Sequence, residues 1–350
     1  MLILRMGTRR LFLRSSRASS AVAAITGNSA IGSDPSLIVT TPRLSILLPT
    51  LNAAGDLQRL LPALAQQEIS GEVEWLAVDS SSTDQTVSLL EGAGFDVQVI
   101  PRREFSHGST RNLLASRAKG TYLLFLTQDA VPVGPDCIEQ LLKPLEDVSV
   151  AAVGARLVPH PSDDPLTART VLASPEASGL AQIRRLRPGQ ALADLAPTEA
   201  VQQARFHNVA CAYRAQVLTK WPFSQVAFGE DVVWADMVLT KGQALAHAPL
   251  AMVRHAHCYT LLGALERYRL DAAFLRRQFG FRVRPGPISM LRGWGHEVRE
   301  DWKFMRGQER ILLRYLLRSP FLRGAMVVGQ FLGTRGWNLP LGRAATRRFS

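Results

Sequence analysis

The stretch Leu44–Asn52, LSILLPTLN, decides how the chain is read. Its apolar run LSILL, ended by Pro49 and followed by Asn52 and Gly55, reads as a short buried strand running into a loop. The period then changes, because Leu57, Leu60, Leu61 and Leu64 recur at helical spacing. The same unit repeats downstream. Val73–Val78 is a second strand that ends at Asp79, and Ser-Ser-Ser-Thr-Asp caps a helix reaching about Gly92. Val97–Ile100 is a third strand, a helix spans about Ser109 to Lys119, and Tyr122–Leu126 is a fourth strand that runs into Thr127-Gln128-Asp129. Alternation at this spacing predicts βαβ crossovers in an α/β fold: a mostly parallel sheet with helices on both faces. Such sheets bind ligands beyond the carboxyl ends of their strands. The polar residues gather there, as Thr50 and Asn52, Asp79, the His107–Asn112 loop, and Asp129.

Composition narrows the classes of function. With 350 residues, 47% hydrophobic and 20% charged, the chain is globular and has room for one large or two small domains. Cys137, Cys211 and Cys258 are odd in number and far apart, so they predict neither a disulfide framework nor a zinc site and favour a reducing compartment. The net charge of +12 is unevenly placed. Residues 1–43 balance to +5, residues 44–275 to −5, and residues 276–350, with 16 Lys/Arg against 4 Asp/Glu, to +12. Basic ends suit nucleic acid or an anionic membrane surface. An acidic centre without an RNA-binding or zinc-finger motif argues against nucleic acid. A nicotinamide-dependent oxidoreductase is disfavoured because Pro-Thr-Leu-Asn follows the first strand, where Gly-x-Gly-x-x-Gly would be needed. No apolar run reaches 18 residues, so no transmembrane helix is expected. The Arg- and Ser-rich start fits an organelle transit peptide or, better, a dispensable or membrane-touching basic extension.

Beyond residue 150 the pattern loosens. Val150–Leu157 reads as a strand, and residues 158–204 are rich in Pro, Asp and Ala with little periodicity. Order returns with FHNVACAYR from Phe206, FGEDVVWADMVL on a helix, a strand near Met252–Arg254, and a helix from Thr260 to Phe279. Leu, Ile and Phe then alternate with Arg at helical spacing, as in Ile311–Arg323, and an apolar run recurs near Met326–Leu332. The expected organisation is a basic extension (1–43), a catalytic domain (44–280) with halves at 44–150 and 151–280, and a basic amphipathic helical region (281–350).

Several side chains carry two readings. Asp79 is either a turn or capping carboxylate or one presented to a ligand, such as a pyrimidine N3–H. Asp129 is a turn residue or a hard-metal ligand. Glu230 and Asp231 are acids favoured at a helix start, or a positioned general base led in by Phe228-Gly229. Arg111 is a solvated helix residue or, with nearby backbone amides, a grip on a diphosphate. His255 and His257 share a face if their strand continues, with His255 the better ligand.

Taken together, SILLPTLN, LAVDSSSTDQT, EFSHGSTRN, FLTQDAVP, NVACAYR, FGEDVVWADMVL and VRHAHCYTLLGALERY resemble, in order, the family 2 glycosyltransferases, and specifically their rhamnosyltransferase-like branch. The resemblance spans about Leu44 to Phe279. It implies a GT-A fold and an inverting transfer from a nucleotide sugar, dTDP-L-rhamnose above all, with a UDP-hexose as the alternative donor. The acceptor would be a hydroxyl of a saccharide or lipid-linked saccharide in cell-surface polysaccharide synthesis. Pro49, Thr50, Asn52, Asp79, Ser81, His107, Arg111, Gln128 and Asp129 would line the donor site, with Arg111 beside the diphosphate. Asp129 would hold Mg²⁺ or Mn²⁺ with His255 as second ligand and His257 as a weaker candidate. Asp231 would be the base and Glu230 would position it. Two departures stand out: the metal motif is Thr-Gln-Asp where the family has Asp-x-Asp, and Ser81 stands where many members place Gly. The basic ends imply a peripheral enzyme on the cytoplasmic face of the inner membrane.

Overall fold

The computed structural model describes residues 41–307 and 313–337. Nearly all of the basic extension expected over residues 1–43, and Ile311 and Leu312 of the basic C-terminal run, lie outside the described residues. From β1 (Leu44–Thr50) the chain alternates through α1 (Ala54–Ala65), β2 (Val73–Asp79), α2 (Thr86–Gly92), β3 (Asp96–Val99), α3 (His107–Arg117) and β4 (Tyr122–Leu126). Helix α3 starts two residues before the expected Ser109, because the Ser106 hydroxyl accepts the Ser109 N–H at 3.1 Å and caps it.

The second half begins with β5 (Val131–Pro132), α4 (Cys137–Leu142), β6 (Val150–Val158), α5 (Pro165–Leu172), β7 (Gln182–Arg184) and α6 (Pro197–Ala204). It continues with β8 (Ala210–Arg214), α7 (Ala215–Lys220), α8 (Glu230–Thr240), β9 (Ala244–Arg254) and α9 (Leu261–Phe279). Residues 158–204, without clear period in the sequence, hold pieces too short for a period to register. Each has its own start signal, such as Asp164 accepting the Leu166 and Thr167 N–H groups ahead of Pro165.

The sheet order is β3-β2-β1-β4-β8-β6-β9-β5, with β7 also on β9. Strands β3, β2, β1 and β4 are parallel, as helix crossovers require. The expectation of a mostly parallel sheet holds there and in the β6–β9 pair, which is parallel as well. Strand β8 runs antiparallel to both β4 and β6, and β5 and β7 run antiparallel to β9, so the sheet as a whole is mixed. The first half stays parallel because each strand is joined to the next by a helix, whereas β8 reaches its slot beside β4 only after an excursion through α5, β7 and α6.

Period two along β1 sends Ile46 and Leu48 to one face and Leu47 to the other. The first face packs on Leu57, Leu60 and Leu64 of α1 and on α4. The second face carries Phe125, Tyr213, Phe223 and Trp234, whose rings meet edge-on or tilted at 4.9–5.9 Å. Trp234 belongs to α8, so this aromatic cluster seats α8 on the sheet.

Two long helices follow, α10 (Pro287–Arg306) and α11 (Leu313–Arg335). Helix α11 lies against α9 at Gly329 and Gly333, where a Cβ would fall on the carbonyl oxygens of Leu265 and Arg269 respectively. The apolar run near Met326–Leu332 is therefore largely packed inward, with Met326 and Val327 at 5% and 2% exposure. Part of the basic inventory is internal as well. Asp301, fully buried, accepts from Arg323 at 2.7 and 2.8 Å, from Arg169 at 2.5 Å and from Ser319 at 2.5 Å. Gly333→Val is expected to push α11 off α9 at a cost of about 1–3 kcal/mol. A thermal melt checks this, and an unchanged midpoint would mean that the two backbones do not approach this closely.

Candidate active site

The carboxyl ends of β1 and β2 meet in register at Thr50 and Asp79. Asp79 is fully buried and accepts three hydrogen bonds, from Thr50 Oγ1 at 2.9 Å, Ser82 N at 2.7 Å and Ser82 Oγ at 2.5 Å. Ser82 Oγ in turn accepts the Asn52 N–H at 2.7 Å, while Asn52 Oδ1 accepts the Thr83 N–H at 2.9 Å. Asp84 accepts Ala54 N and Thr86 N, and Thr86 Oγ1 takes the Ala53 N–H. The loops after β1 and β2 are thus laced into one unit around Asp79. Two non-glycine residues there have positive φ, Asn52 at 46° and Ser81 at 62°. Ser81, at the position where many members of the resembling family place Gly, holds that geometry by donating its hydroxyl to Ile100 O at 2.8 Å. Gln128 adds the end of β4, accepting Leu51 N at 3.0 Å and donating to Asp56 at 3.1 Å. Pro49 is a half-buried member of β1.

The first turns of α3 reach the other half of the sheet. Arg111 and Glu230, 119 positions apart, are 4% and 6% exposed, and Arg111 Nη1 donates to Glu230 Oε1 at 2.8 Å. Asn208 Nδ2 donates to the same oxygen at 3.2 Å, and the Tyr213 hydroxyl donates to Asn208 Oδ1. Asn112 exchanges two hydrogen bonds with the Phe223 backbone, at 2.9 and 3.0 Å. Gly108 completes the fit, since a Cβ there would come within 2.7 Å of Ser224 O. The sequence expectation set Arg111 in the donor site; its side chain is instead turned inward onto Glu230. His107 opens α3, half-buried, with its ring 5.1 Å from that of Phe105.

Glu230 and Asp231 open α8. Gly229 before them has φ 79° and lies under the Phe274 ring, which a Cβ would strike at 2.5 Å, so both the turn and the space demand glycine. Asp231 is half-buried and accepts the N–H of Val232 at 2.8 Å. Burial, and after it the neighbouring Glu230 charge, push its carboxyl up to about 7, against the opposing pull of Arg111 and Arg267.

At the far side, Asp129 after β4 meets His255 and His257 after β9. The strand ends at Arg254, yet the two imidazoles stay 4.6 Å apart and one donor atom from each of the three residues lies within 4.8 Å of the others. His255 Nε2 stands 3.4 Å and His257 Nδ1 4.0 Å from Asp129 Oδ2. Burial pushes His255 down to about 4 and lowers His257 too, with Asp129 opposing in both, so the rings are neutral and free to ligate. Two imidazoles and one carboxylate form a donor set that fits a divalent cation. His257 joins the cluster, farther from Asp129 and more exposed than His255.

Arg267 was not singled out in the sequence. It stacks on Phe228 at 4.9 Å and pairs with Asp271 at 3.2 Å. Burial works against its charge, but Asp271, Tyr259 and Asp231 more than offset that and hold its pKa above the usual value. The same charge depresses both histidines. One cation therefore acts on the carboxylate of α8 and on the histidine pair. Its only signal in the sequence is its place ten residues beyond His257 on the helix that follows.

This mixed sheet, with acidic and imidazole groups at one edge and a carboxylate at the start of a facing helix, is the architecture of the GT-A glycosyltransferases. Residues 45–205 match the family described as Glycosyl transferase family 2. The chain is 27% identical over 314 residues to the O-antigen chain rhamnosyltransferase RfbN of Salmonella typhimurium, covering 85% of this chain and 92% of that protein. It is 27% identical over 316 residues to WbaN of Salmonella anatum, a protein of the same description, covering 86% and 92%. In fold it is similar to a mannosyltransferase from Pyrobaculum calidifontis solved with GDP-Man and Mn²⁺, with TM-score 0.53 and 17% identity over 85% of this chain and 87% of that one. The chain is a glycosyltransferase, and its residues 45–205 form a family 2 domain.

The geometry of Glu230 carries an expectation of its own. Glu230→Gln keeps the shape of the Arg111 contact while removing the second cause that raises Asp231. The acid limb of the kcat/KM profile is expected to move to lower pH, with kcat at high pH reduced less than in Asp231→Asn. An unmoved limb would show that Glu230 does not set the proton affinity of Asp231.

Proposed function

We propose that the protein is an inverting transferase that moves L-rhamnose from dTDP-L-rhamnose to a hydroxyl of a saccharide or lipid-linked saccharide in cell-surface polysaccharide synthesis. The observation that carries the reaction type is Asp231, a half-buried carboxylate raised to about 7 and fixed at the first turn of α8. The resemblance of EFSHGSTRN and FLTQDAVP to the rhamnosyltransferase branch, and the similarity to the O-antigen chain rhamnosyltransferases RfbN and WbaN, support the donor and acceptor classes.

In this reading Asp231 accepts the proton of the acceptor hydroxyl as its oxygen attacks the anomeric carbon. The bond to the nucleoside diphosphate breaks on the opposite face. A single displacement needs one base, and a carboxyl near 7 is half ionised at neutral pH and basic enough to take the proton. Arg267 carries the positive charge on the leaving-group side, the role the sequence reading gave to Arg111. Arg111 and Glu230 position α8. Asp129, His255 and His257 would hold Mg²⁺ or Mn²⁺, which supplies charge neutralisation to the departing diphosphate. The laced loops bearing Pro49, Thr50, Asn52, Asp79 and Ser81, closed by Gln128, form the base and ribose end, with His107 at the start of α3. A lipid-linked acceptor places the enzyme on the cytoplasmic face of the inner membrane; no helix among the described residues is long and apolar enough to cross it.

Donor-dependent nucleotide release across dTDP-, UDP- and GDP-sugars tests the donor. Turnover is expected with dTDP-L-rhamnose, and preference for a UDP-hexose would replace that assignment. Asp231→Asn is expected to bind donor normally while losing about 10²–10⁴ in kcat. In the wild type, kcat/KM should fall about tenfold per unit as pH drops below about 7, since protonated Asp231 cannot act as base. Near-normal turnover in the Asn variant would remove Asp231 from this role. Exhaustive chelation with EDTA is expected to abolish activity and added Mn²⁺ to restore it; full activity without metal would leave the diphosphate to Arg267 alone.

A further inference from the structure

Leu313, Leu317 and Phe321 recur every four residues along one face of α11 and are 67%, 63% and 69% exposed. Trp294 and Trp302 of α10 lie alongside them. The Trp294 indole donates to Pro320 O at 2.8 Å and the Trp302 indole to Leu316 O at 3.4 Å, leaving the rings 40% and 41% exposed. Three aromatic and two leucine side chains thus form one apolar band across both helices. Arg318 on the same helix donates to Tyr259 O at 2.8 Å, which brings the start of α9, with Leu261 and Leu262 exposed, to this end of α11. Exposed cations flank the band: Arg292, Arg299, Lys303 and Arg306 on α10 and Arg314 on α11.

We propose that this band is a membrane-docking surface, which beds α10 and α11 lengthwise in the interfacial layer of an anionic bilayer. Indole rings favour the depth where headgroups meet acyl chains, and the partnered N–H groups here leave no donor unsatisfied on insertion. Long cationic side chains at the rim reach lipid phosphates while their stems cover apolar surface. The +12 balance of residues 276–350 complements an anionic leaflet. Of the cations in that region, Arg323 is buried in an internal pair with Asp301 and is not presented to a leaflet. The exposed apolar side chains add insertion to the attraction of the exposed cations. The proposal deepens the membrane position given above and rests on it only for its purpose, since its test reads lipid association without turnover.

The test is flotation of the full chain with phosphatidylglycerol-containing vesicles and with pure phosphatidylcholine vesicles, at low salt and at 1 M NaCl. The protein is expected to float with the anionic vesicles and to remain largely bound at 1 M, where charge attraction is screened within about 3 Å. Leu317→Glu/Phe321→Glu is expected to lose about a hundredfold in partition, tenfold per side chain, with an unchanged thermal melt. Failure of the wild type to float, complete release at 1 M salt, or equal flotation of the double variant would overturn the proposal. So would a wild-type dimer in lipid-free solution that the double variant converts to monomer, because that assigns the band to a second copy of the chain.

Discussion

The buried pair between Arg111 and Glu230 is the contact on which the site's geometry depends. It joins the first turn of α3, in the parallel half of the sheet, to the first residue of α8, in the mixed half. Both groups are almost wholly removed from water, so removing either leaves an uncompensated charge at a cost of about 3–5 kcal/mol. The contacts around it share the work. Asn208 holds the same carboxylate oxygen, Asn112 clasps the Phe223 backbone, and the aromatic cluster beneath α8 fills the space between. With Glu230 held in this way, Asp231 is fixed beside a second carboxylate. That placement, with burial, gives Asp231 a proton affinity suited to base catalysis.

Polar residues at the strand ends divide into those that build the edge and those that face outward from it. Asp79, Thr50 and Gln128 belong to the first kind, because their hydrogen bonds tie three loops together. Asp129, His255 and His257 belong to the second. Their donor atoms converge with neutral rings, and Asp129 is the only carboxylate among them. The single acid of Thr-Gln-Asp is thereby complemented by two imidazoles from the far strand rather than by a second acid in the motif. Strain at Asn52 and Ser81 is confined to the laced loops, where the surrounding hydrogen bonds over-determine the backbone.

The C-terminal helices have two distinct surfaces. One buries Asp301 among Arg169, Arg323 and Ser319 and brings Gly329 and Gly333 onto α9. The other presents tryptophans and a leucine-phenylalanine stripe outward. Charge counting treats every arginine alike, whereas a guanidinium in an internal pair contributes nothing to an external field.

Much of this was legible in the sequence. Strand β4 falls where its apolar run places it, β1, β2 and β6 start where expected and run one or two residues further, and the helix after His257 starts at the cap Thr260. Those features depend on local period, caps and breakers. The gathering of Asp129 with the histidines was also anticipated, since both lie at carboxyl ends of strands, where α/β sheets collect their ligand groups. Tertiary structure alone decided the antiparallel insertion of β8, the inward turn of Asp79, the partner of Arg111 and the place of Arg267. Each is a pairing between residues far apart in the chain, or a choice of which way one side chain faces. Local sequence sets how a segment folds, but it does not encode which distant charge will share its desolvated space. Packing the two halves together makes that choice, because a buried cation is tolerable only where a carboxylate is brought to meet it.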